Sequence, residues 1–184
     1  MYLQQDKNIF FTCFQNIFFT TYMPHKLIYI MGVAGSGKTT IGQLLAAKTG
    51  YVFYDADQFH PQKNMDKMKA GVPLTDEDRW PWLAAINNFV SEKLVSNNII
   101  LACSALKQAY RKRLDMGIEQ QVIWVFLNGS YKIIMSRMQK RSGHFMPPSL
   151  LRSQFDALEL PQDALKVDIT LAPDAIVEDI ISQI

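Results

Sequence analysis

The sequence predicts an α/β fold of three layers, in which helices cover both faces of a five-stranded parallel sheet. Two observations support this prediction. Five short apolar runs alternate with longer helical patterns, which is the order of elements in α/β proteins. The runs are apolar at nearly every position, which indicates strands that are buried on both faces, as in parallel sheets. A chain of 184 residues is suited to one such domain.

The five predicted strands are bounded by Gly, Asp or other polar residues, which commonly end a strand. They read LIYIM, YVFY, IILAC, VIWVFL and KVDITL and begin at positions 27, 51, 99, 122 and 166. The predicted helices cover 37–49, 61–70, 76–96, 107–116, 130–141 and 173–183. Ligands bind such sheets at the carboxyl ends of the strands, so we expect functional residues after LIYIM and YVFY.

Composition narrows the class of protein. Apolar residues make up 48% and charged residues 20% of the chain, as in ordinary globular domains. The net charge is +2 and the basic residues are dispersed, so the sequence does not predict a nucleic-acid surface. The two cysteines, Cys13 and Cys103, form no CxxC motif. This pattern is typical of a reducing, cytoplasmic compartment.

The N-terminal residues form a separate segment in the prediction. Residues 9–23 read IFFTCFQNIFFTTYM, which is aromatic and apolar but interrupted by Gln15 and Asn16. This run is too short and too polar to span a bilayer, and it lacks the cationic start of a signal peptide. We therefore predict an N-terminal extension at 1–23 and one domain at 24–184. The extension either packs on the domain, is a start-site artefact, or contacts a membrane surface or a partner.

The strongest motif follows the first predicted strand. Residues 32–39 read GVAGSGKT, which fits the phosphate-loop pattern G-x-x-x-x-G-K-[ST]. Its glycines let the backbone N–H groups close around phosphate, and the following helix adds its positive end. The Lys38 ammonium can reach the β- and γ-phosphates, and the Thr39 hydroxyl can ligate Mg²⁺. The predicted nucleotide-binding residues are Gly32, Val33, Ala34, Gly35, Ser36, Gly37, Lys38, Thr39 and Thr40.

Two aspartates follow the second predicted strand, in the stretch FYDADQFHP at 53–61. Considered alone, such residues are usually turn or N-cap residues. The phosphate loop upstream changes that interpretation, because the end of YVFY should lie near the γ-phosphate. Asp55 and Asp57 are two residues apart and would project to the same side of an extended segment. We predict that Asp55 holds the metal or its water and that Asp57 orients or deprotonates the attacking hydroxyl.

Four segments together resemble the gluconokinases, within the wider group of kinases similar to shikimate kinase. They read MGVAGSGKTT, DADQFHPQKNMDKMKAGVPLTDEDRWPWL, CSALKQAYR and RSGHFMPPSLLRSQFDALE, in the order of that family. The resemblance implies a phosphate-loop kinase fold with a mobile lid at about 137–150. It also implies ATP- and Mg²⁺-dependent phosphorylation of D-gluconate to 6-phosphogluconate, and a possible homodimer. DAD stands where the family usually has DGD, and Ala56 keeps the intervening residue small.

Position in these motifs assigns the remaining roles. A helical spacing would place His60, Asn64 and Lys67 on one face, although a solvated face is the alternative. Arg79 could pair with the substrate carboxylate. The predicted substrate-binding residues are Asp57, His60, Asn64, Lys67, Arg79, Ser104, Lys107 and Arg111, with Lys107 and Arg111 forming a second basic face toward the same cleft.

The predicted lid carries cations where a helix gives way to a Gly- and Pro-rich loop. Arg137 is assigned to the nucleotide side and Arg141 to the transferring phosphoryl group. A helix C-terminus that simply favours cations is the alternative. The predicted catalytic residues are Lys38, Asp57 and Arg141, and the predicted metal ligands are Thr39 and Asp55.

Two other functions are compatible with the phosphate loop. One is a kinase for another small polyol or acid such as shikimate. The other is a nucleotide-dependent switch protein, which would need a DxxG and a base-reading NKxD-like segment, and neither is found in the sequence.

Overall fold

The protein is described by a computed structural model that covers residues 25–140 and 148–184. Five strands form one sheet with the order β2-β3-β1-β4-β5, and every neighbouring pair is parallel. The strands are β1 (Leu27–Met31), β2 (Val52–Asp55), β3 (Ile99–Cys103), β4 (Val122–Asn128) and β5 (Leu165–Asp168). The predicted five-stranded parallel sheet is confirmed. The predicted extension at 1–23 lies outside the described residues, as does Arg141.

Helices connect the strands and cover the sheet. They are α1 (Lys38–Thr49), α2 (Gln62–Lys69), α3 (Asp76–Lys93), α4 (Gln108–Asp115), α5 (Tyr131–Gln139), α6 (Pro148–Asp156) and α7 (Pro173–Ser182). All six predicted helices are present with small shifts at their ends. The additional helix α6 falls where the sequence predicted only a lid loop followed by an unassigned segment. The Pro-Pro sequence at 147–148 indicated a loop, although proline is well tolerated in the first turn of a helix, and α6 begins at Pro148. No helix in the described ranges is long and apolar enough to cross a membrane.

The core has two halves, one on each face of the sheet. In β1 all five residues are fully buried, and they alternate between the halves. Tyr29 packs in one half with Leu83 of α3, whereas Ile28 and Ile30 pack in the other with Leu45 of α1. Side chains of a strand point alternately to opposite faces, so a strand covered on both faces must be apolar throughout. This requirement explains the uninterrupted apolar run LIYIM.

The strand order places the segments that follow β1, β2 and β3 side by side, at the carboxyl ends of the strands. β3 lies between β1 and β2, and Met31 is level with Cys103 while Asp55 is level with Ala102. The segments that follow these three strands therefore start side by side. β2 itself is an edge strand with Val52 exposed, so it is less buried than the sequence predicted.

The packing of α3 gives a first testable prediction. Leu83 is fully buried in this helix against the sheet. We expect Leu83→Ala to lower the free energy of unfolding by about 2–5 kcal/mol, because it removes buried methyl groups and leaves a cavity. Urea denaturation followed by circular dichroism measures this change.

The matched control is Asn88→Ala, at an exposed position of the same helix. An exposed substitution of this kind should change the stability by about 0.5 kcal/mol or less. Equal losses in the two variants would contradict the assignment of Leu83 to the core.

Candidate active site

The phosphate loop turns sharply between β1 and α1. Gly35 and Gly37 have φ angles of 78° and 105°, which are left-handed conformations that glycine adopts without steric cost. No side chain of the described residues caps the N-terminus of α1, so its first N–H groups are available to an anion. The buried hydroxyl of Ser36 also has no hydrogen-bond partner within the described part of the chain. These groups form the kind of anion site that the motif predicts.

Lys38 begins helix α1 and folds back over the phosphate loop. Its ammonium donates a hydrogen bond to the Val33 carbonyl oxygen at 3.1 Å. Burial lowers the pKa of Lys38, and the nearby carboxylates of Asp57 and Asp55 act in the opposite direction. A cation that is held beside the loop in this way is available to bound phosphate groups.

Thr39 and Asp55 join the end of the phosphate loop to the end of β2. The Thr39 hydroxyl donates to Asp55 Oδ2 at 2.9 Å, and Asp55 Oδ1 accepts from the backbone N–H of Asp57 at 3.1 Å. The described residues contain no group of three or more His, Cys, Asp or Glu side chains placed to hold a metal. Mg²⁺ at nucleotide sites usually takes only one or two protein ligands and completes its shell with phosphates and water. The Thr39 and Asp55 oxygens fit that requirement.

Asp57 projects from the short 3₁₀ turn Ala56–Phe59 into the cleft. Its side chain is 84% exposed, and its Oδ1 lies 4.0 Å from His60 Nε2. Desolvation in the concave site, followed by the charge of Asp55, raises the pKa of Asp57, while Lys38 opposes the change. Asp57 is therefore a more basic carboxylate than usual and is open to an incoming hydroxyl group.

His60 is held against the cleft wall by Trp82. The two rings stack with centroids 4.3 Å apart and planes at 11°. Trp82 is fixed in turn, because its indole N–H donates to the Ala56 carbonyl oxygen at 2.8 Å. Burial, and then the charge of Arg79, lowers the pKa of His60 to about 4. The imidazole is thus a neutral group at physiological pH.

A second wall of the cleft is polar and charged. Arg79 donates to the carbonyl oxygens of Leu74 at 2.6 Å and Thr75 at 3.2 Å, and its guanidinium lies 5.5 Å from the centroid of the Tyr110 ring. Lys107 donates to both carboxylate oxygens of Asp76 at 2.8 Å. Tyr110 also donates to Asp76, and the contacts from Lys107 and Tyr110 lower the pKa of the Asp76 carboxyl group. Sequence analysis missed Asp76, because an aspartate in the first turn of a helix is an ordinary feature.

One cavity of about 780 Å³ connects these walls with the phosphate loop. Helix α6 adds a side that sequence analysis did not find, through Ser153 and Gln154. The Gln154 side-chain oxygen accepts the backbone N–H of Ala34 at 2.7 Å. The predicted site residues that line the cavity are Ala34, Gly35, Lys38, Asp57, His60, Arg79, Ser104 and Lys107.

Asn64 and Lys67 fasten α2 to the start of α3, and their predicted role toward the substrate stays a prediction. Asn64 is buried and donates to the backbone oxygen of Asp78 at 2.8 Å. Lys67 donates to both carboxylate oxygens of Asp78 at 2.7 and 2.6 Å. Among the three residues predicted to share a substrate-facing side, His60 is the one that lines the cleft.

Arg111 lines a different cavity from Lys107, and its predicted role toward the substrate stays a prediction. Its guanidinium donates to the carbonyl oxygens of Ala105 at 2.9 Å and Leu106 at 3.2 Å and lies in the wall of a second cavity. The predicted i, i+4 pairing required both residues to be helical. Lys107 instead has an extended backbone, with φ −96° and ψ 148°, and immediately precedes α4. The two side chains therefore diverge.

Arg137 lies at the end of α5 and donates to the backbone oxygen of Ile169, just after β5. This contact links α5 to the segment that follows the edge strand β5. The role of Arg137 toward the nucleotide stays a prediction. The role of Arg141 also stays a prediction.

Comparison with known proteins extends these observations. A family model described as shikimate kinase matches residues 34–165. The chain is 49% identical over 153 residues to the thermosensitive gluconokinase of Escherichia coli K12, covering 80% of this chain and 81% of that protein. The chain belongs to the gluconokinase family. The members of this family are kinases, so the cleft with the phosphate loop, Asp57 and the charged wall belongs to a kinase.

Solved structures agree with this family assignment. A gluconokinase from Sinorhizobium meliloti is 42% identical and superimposes with a TM-score of 0.77, covering 86% of this chain and 90% of that one. A shikimate kinase from Aquifex aeolicus shares the fold, with a TM-score of 0.59 over 85% of this chain and 94% of that one, but is only 19% identical. The phosphate-loop kinase fold is thus common to both groups, and the higher identity lies on the gluconokinase side.

The environment of His60 gives a pH-dependent prediction. Its pKa of about 4 in the folded protein lies below the ordinary value of 6.5. The unfolded chain therefore binds more protons between these values, so His60 contributes stability that is complete above about pH 6.5 and lost as the pH falls toward 4. NMR titration of the imidazole, assigned with His60→Gln, measures the pKa directly.

Arg79→Met offers a matched comparison, because it removes the second cause of the shift and leaves burial in place. We expect the pKa of His60 to rise part of the way toward 6.5 in this variant. A midpoint near 6.5 in the unaltered protein would contradict the stacked, desolvated position.

Proposed function

We propose that this protein transfers the γ-phosphoryl group of ATP to the terminal hydroxyl of D-gluconate and so produces 6-phosphogluconate. The supporting observation is a single cleft that joins the phosphate loop and the exposed carboxylate of Asp57 to a wall with Arg79 and Lys107. The Thr39–Asp55 pair adjoins this cleft, because Asp55 accepts a hydrogen bond from the backbone N–H of Asp57. Several relatives that match most of the chain are named gluconokinases, including the protein from Gluconobacter oxydans at 40% identity. An anionic, polyhydroxylated acceptor suits the mixture of cations and carboxylates in this cleft.

The nucleotide end works mainly through charge and positioning. The backbone N–H groups of the phosphate loop, the N-terminus of α1 and the Lys38 ammonium surround the β- and γ-phosphates. Thr39 and Asp55 would hold Mg²⁺, which when bound neutralises negative charge on the phosphate oxygens. Lys38 exchanges its contact with Val33 for phosphate oxygens. These residues leave the γ-phosphorus accessible from the side on which Asp57 lies.

The acceptor end orients the hydroxyl group. Asp57 accepts a hydrogen bond from the terminal hydroxyl of gluconate, and the raised pKa of Asp57 makes its carboxylate a better proton acceptor. As the new oxygen–phosphorus bond forms, the bond to the ADP oxygen breaks and the hydroxyl proton passes to Asp57. Neutral His60 offers a hydrogen bond to a substrate hydroxyl. Arg79, whose planar fork suits carboxylates, takes the acid group of gluconate.

The lid completes the proposal. Arg137 belongs to the nucleotide side, and Arg141 stabilises the transferring phosphoryl group. Within the described residues Cys103 is a buried, free thiol, and the expected reducing, cytoplasmic setting is compatible with it. Homodimer formation is a further expectation, which sedimentation analysis of the purified protein tests.

The choice of acceptor is tested by a coupled ADP-release assay with ATP and Mg²⁺. We expect gluconate to be phosphorylated with a kcat/KM at least about 100-fold above that for shikimate, because a polar site left unpaired by the wrong substrate discriminates strongly. Lys38→Met is the matched control and should lose activity while its circular dichroism spectrum stays unchanged. Equal turnover of shikimate would overturn the proposed substrate.

The division of labour between the two aspartates gives a separate prediction. Asp55→Asn should raise the Mg²⁺ requirement, and excess metal should restore part of its activity, since Asp55 contacts Thr39 rather than the acceptor space. Asp57→Asn should leave ATP binding nearly intact and lower kcat by about 100-fold or more without metal rescue. Magnesium titrations of both variants measure the difference. Equal metal rescue would show that the pair forms a single metal site.

A further inference from the structure

The loop between β3 and α4, residues 104–107, supplies three residues to the lining of the cleft, of which Ser104 and Lys107 are polar and Leu106 is apolar. Its backbone is under strain, because Ala105 has a φ of 43°. Ala105 is the one residue other than glycine with a positive φ in the described ranges. This conformation brings a Cβ atom too close to the backbone and persists only when the surroundings hold it. We call this segment the β3–α4 loop.

Arg111 is hydrogen-bonded to the β3–α4 loop and lines a second cavity rather than the cleft. Its guanidinium donates from one nitrogen to the carbonyl oxygens of both Ala105 and Leu106, at 2.9 and 3.2 Å. The residue is 7% exposed, and no carboxylate lies within 4.0 Å of it in the described part of the chain. Burial lowers the pKa of Arg111. A buried cation without an ion pair is costly, so these two carbonyl contacts are its compensation.

A second contact fixes the same loop to the segment that follows α6. The backbone N–H of Glu159 donates to Leu106 O at 2.9 Å, and the Glu159 carboxylate accepts from the backbone N–H of Gln108 at 2.6 Å. Glu159 therefore holds the end of the loop, and the carbonyl of Ala105 relies on Arg111. The strained residue, Ala105, lies in the chain between the two polar cleft residues, Ser104 and Lys107. Rotation of its backbone would move both of them.

We propose that Arg111 is a positioning residue for the acceptor. It holds the β3–α4 loop in its strained conformation and so sets where Ser104 and Lys107 meet gluconate, without touching substrate itself. This inference rests on the proposed function. The phosphate loop is built on β1 and α1 and has no hydrogen bond to Arg111, so nucleotide binding is independent of this contact.

The test compares Arg111→Met and Arg111→Lys in the full-length protein. Methionine keeps the apolar stem and removes every donor, whereas lysine keeps the charge and loses the planar guanidinium. We expect the KM for gluconate to rise by about tenfold or more in both variants, since small misplacements of binding groups are costly. The KM for ATP should stay within about twofold. Thermal unfolding of each variant confirms that the protein is folded.

Arg113→Met is the matched control, because Arg113 lies on the same helix and, among the described residues, its side chain donates a hydrogen bond only to the sulfur of Met116. Both KM values should stay unchanged in this variant. Equal increases in the two KM values for Arg111→Met, or no increase in either, would overturn the proposal.

A rescue experiment separates positioning from direct substrate contact. Glycine adopts a positive φ without strain, so Ala105→Gly added to Arg111→Met should recover at least part of the lost gluconate affinity. If Arg111 bound gluconate itself, Ala105→Gly would restore nothing, and the proposal would be wrong.

Hydrogen exchange of the β3–α4 loop gives a readout that needs no substrate. Mass spectrometry should show faster amide exchange for a peptide covering 104–107 in Arg111→Met, and no change in Arg113→Met. Unchanged exchange in Arg111→Met would overturn the proposal. An inactive wild-type protein with this exchange difference present would contradict the proposed function and leave the loop contact established.

Discussion

The position of the site depends on the burial of β1, which is paired with a strand along each edge and covered on both faces. β1 is fully buried between β3 and β4, with helices on both faces. The chain that follows β1 can therefore continue only beyond the carboxyl ends of the strands. The parallel register then places the ends of β3 and β2 beside it. Backbone pairing thus makes three segments neighbours: the phosphate loop, the β3–α4 loop and the aspartate segment, residues 55–57. Their closeness does not depend on contacts between side chains of the site.

Features that depend on local sequence were predictable. The strands follow from apolar runs, the phosphate loop from its glycine spacing, and the closeness of Asp55 to Thr39 from the order of strands and motif. Residues whose role depends on a distant partner were not predictable. The spacing of Asn64 and Lys67 was interpreted correctly as a helical face, but the sequence does not reveal that Asp78 on another helix would bind both. Similarly, helical periodicity does not show that Lys107 precedes its helix in an extended conformation.

The cationic side chains of the charged wall already have hydrogen-bond partners within the protein. Lys107 is paired with Asp76, and Arg79 is satisfied by backbone carbonyls. An arriving acid therefore exchanges one set of contacts for another rather than meeting bare cations, which favours selectivity over raw affinity. Neutral His60 fits this pattern, since a hydrogen-bonding group without charge distinguishes hydroxyl positions at little electrostatic cost. The resulting surface matches a molecule with one negative end and many hydroxyls better than a simple anion.

The buried position of Ala56 limits how the aspartate segment can vary in evolution. Ala56 is fully buried between Asp55 and Asp57, its carbonyl receives the indole of Trp82, and it starts a right-handed 3₁₀ turn. A right-handed turn does not need the conformational freedom of glycine, so alanine is an equivalent solution. Any larger side chain would have to displace core residues packed around this buried position. Sequence drift at this position is therefore confined to the two smallest amino acids, whereas Gln58, two residues later and exposed, is free of that steric constraint.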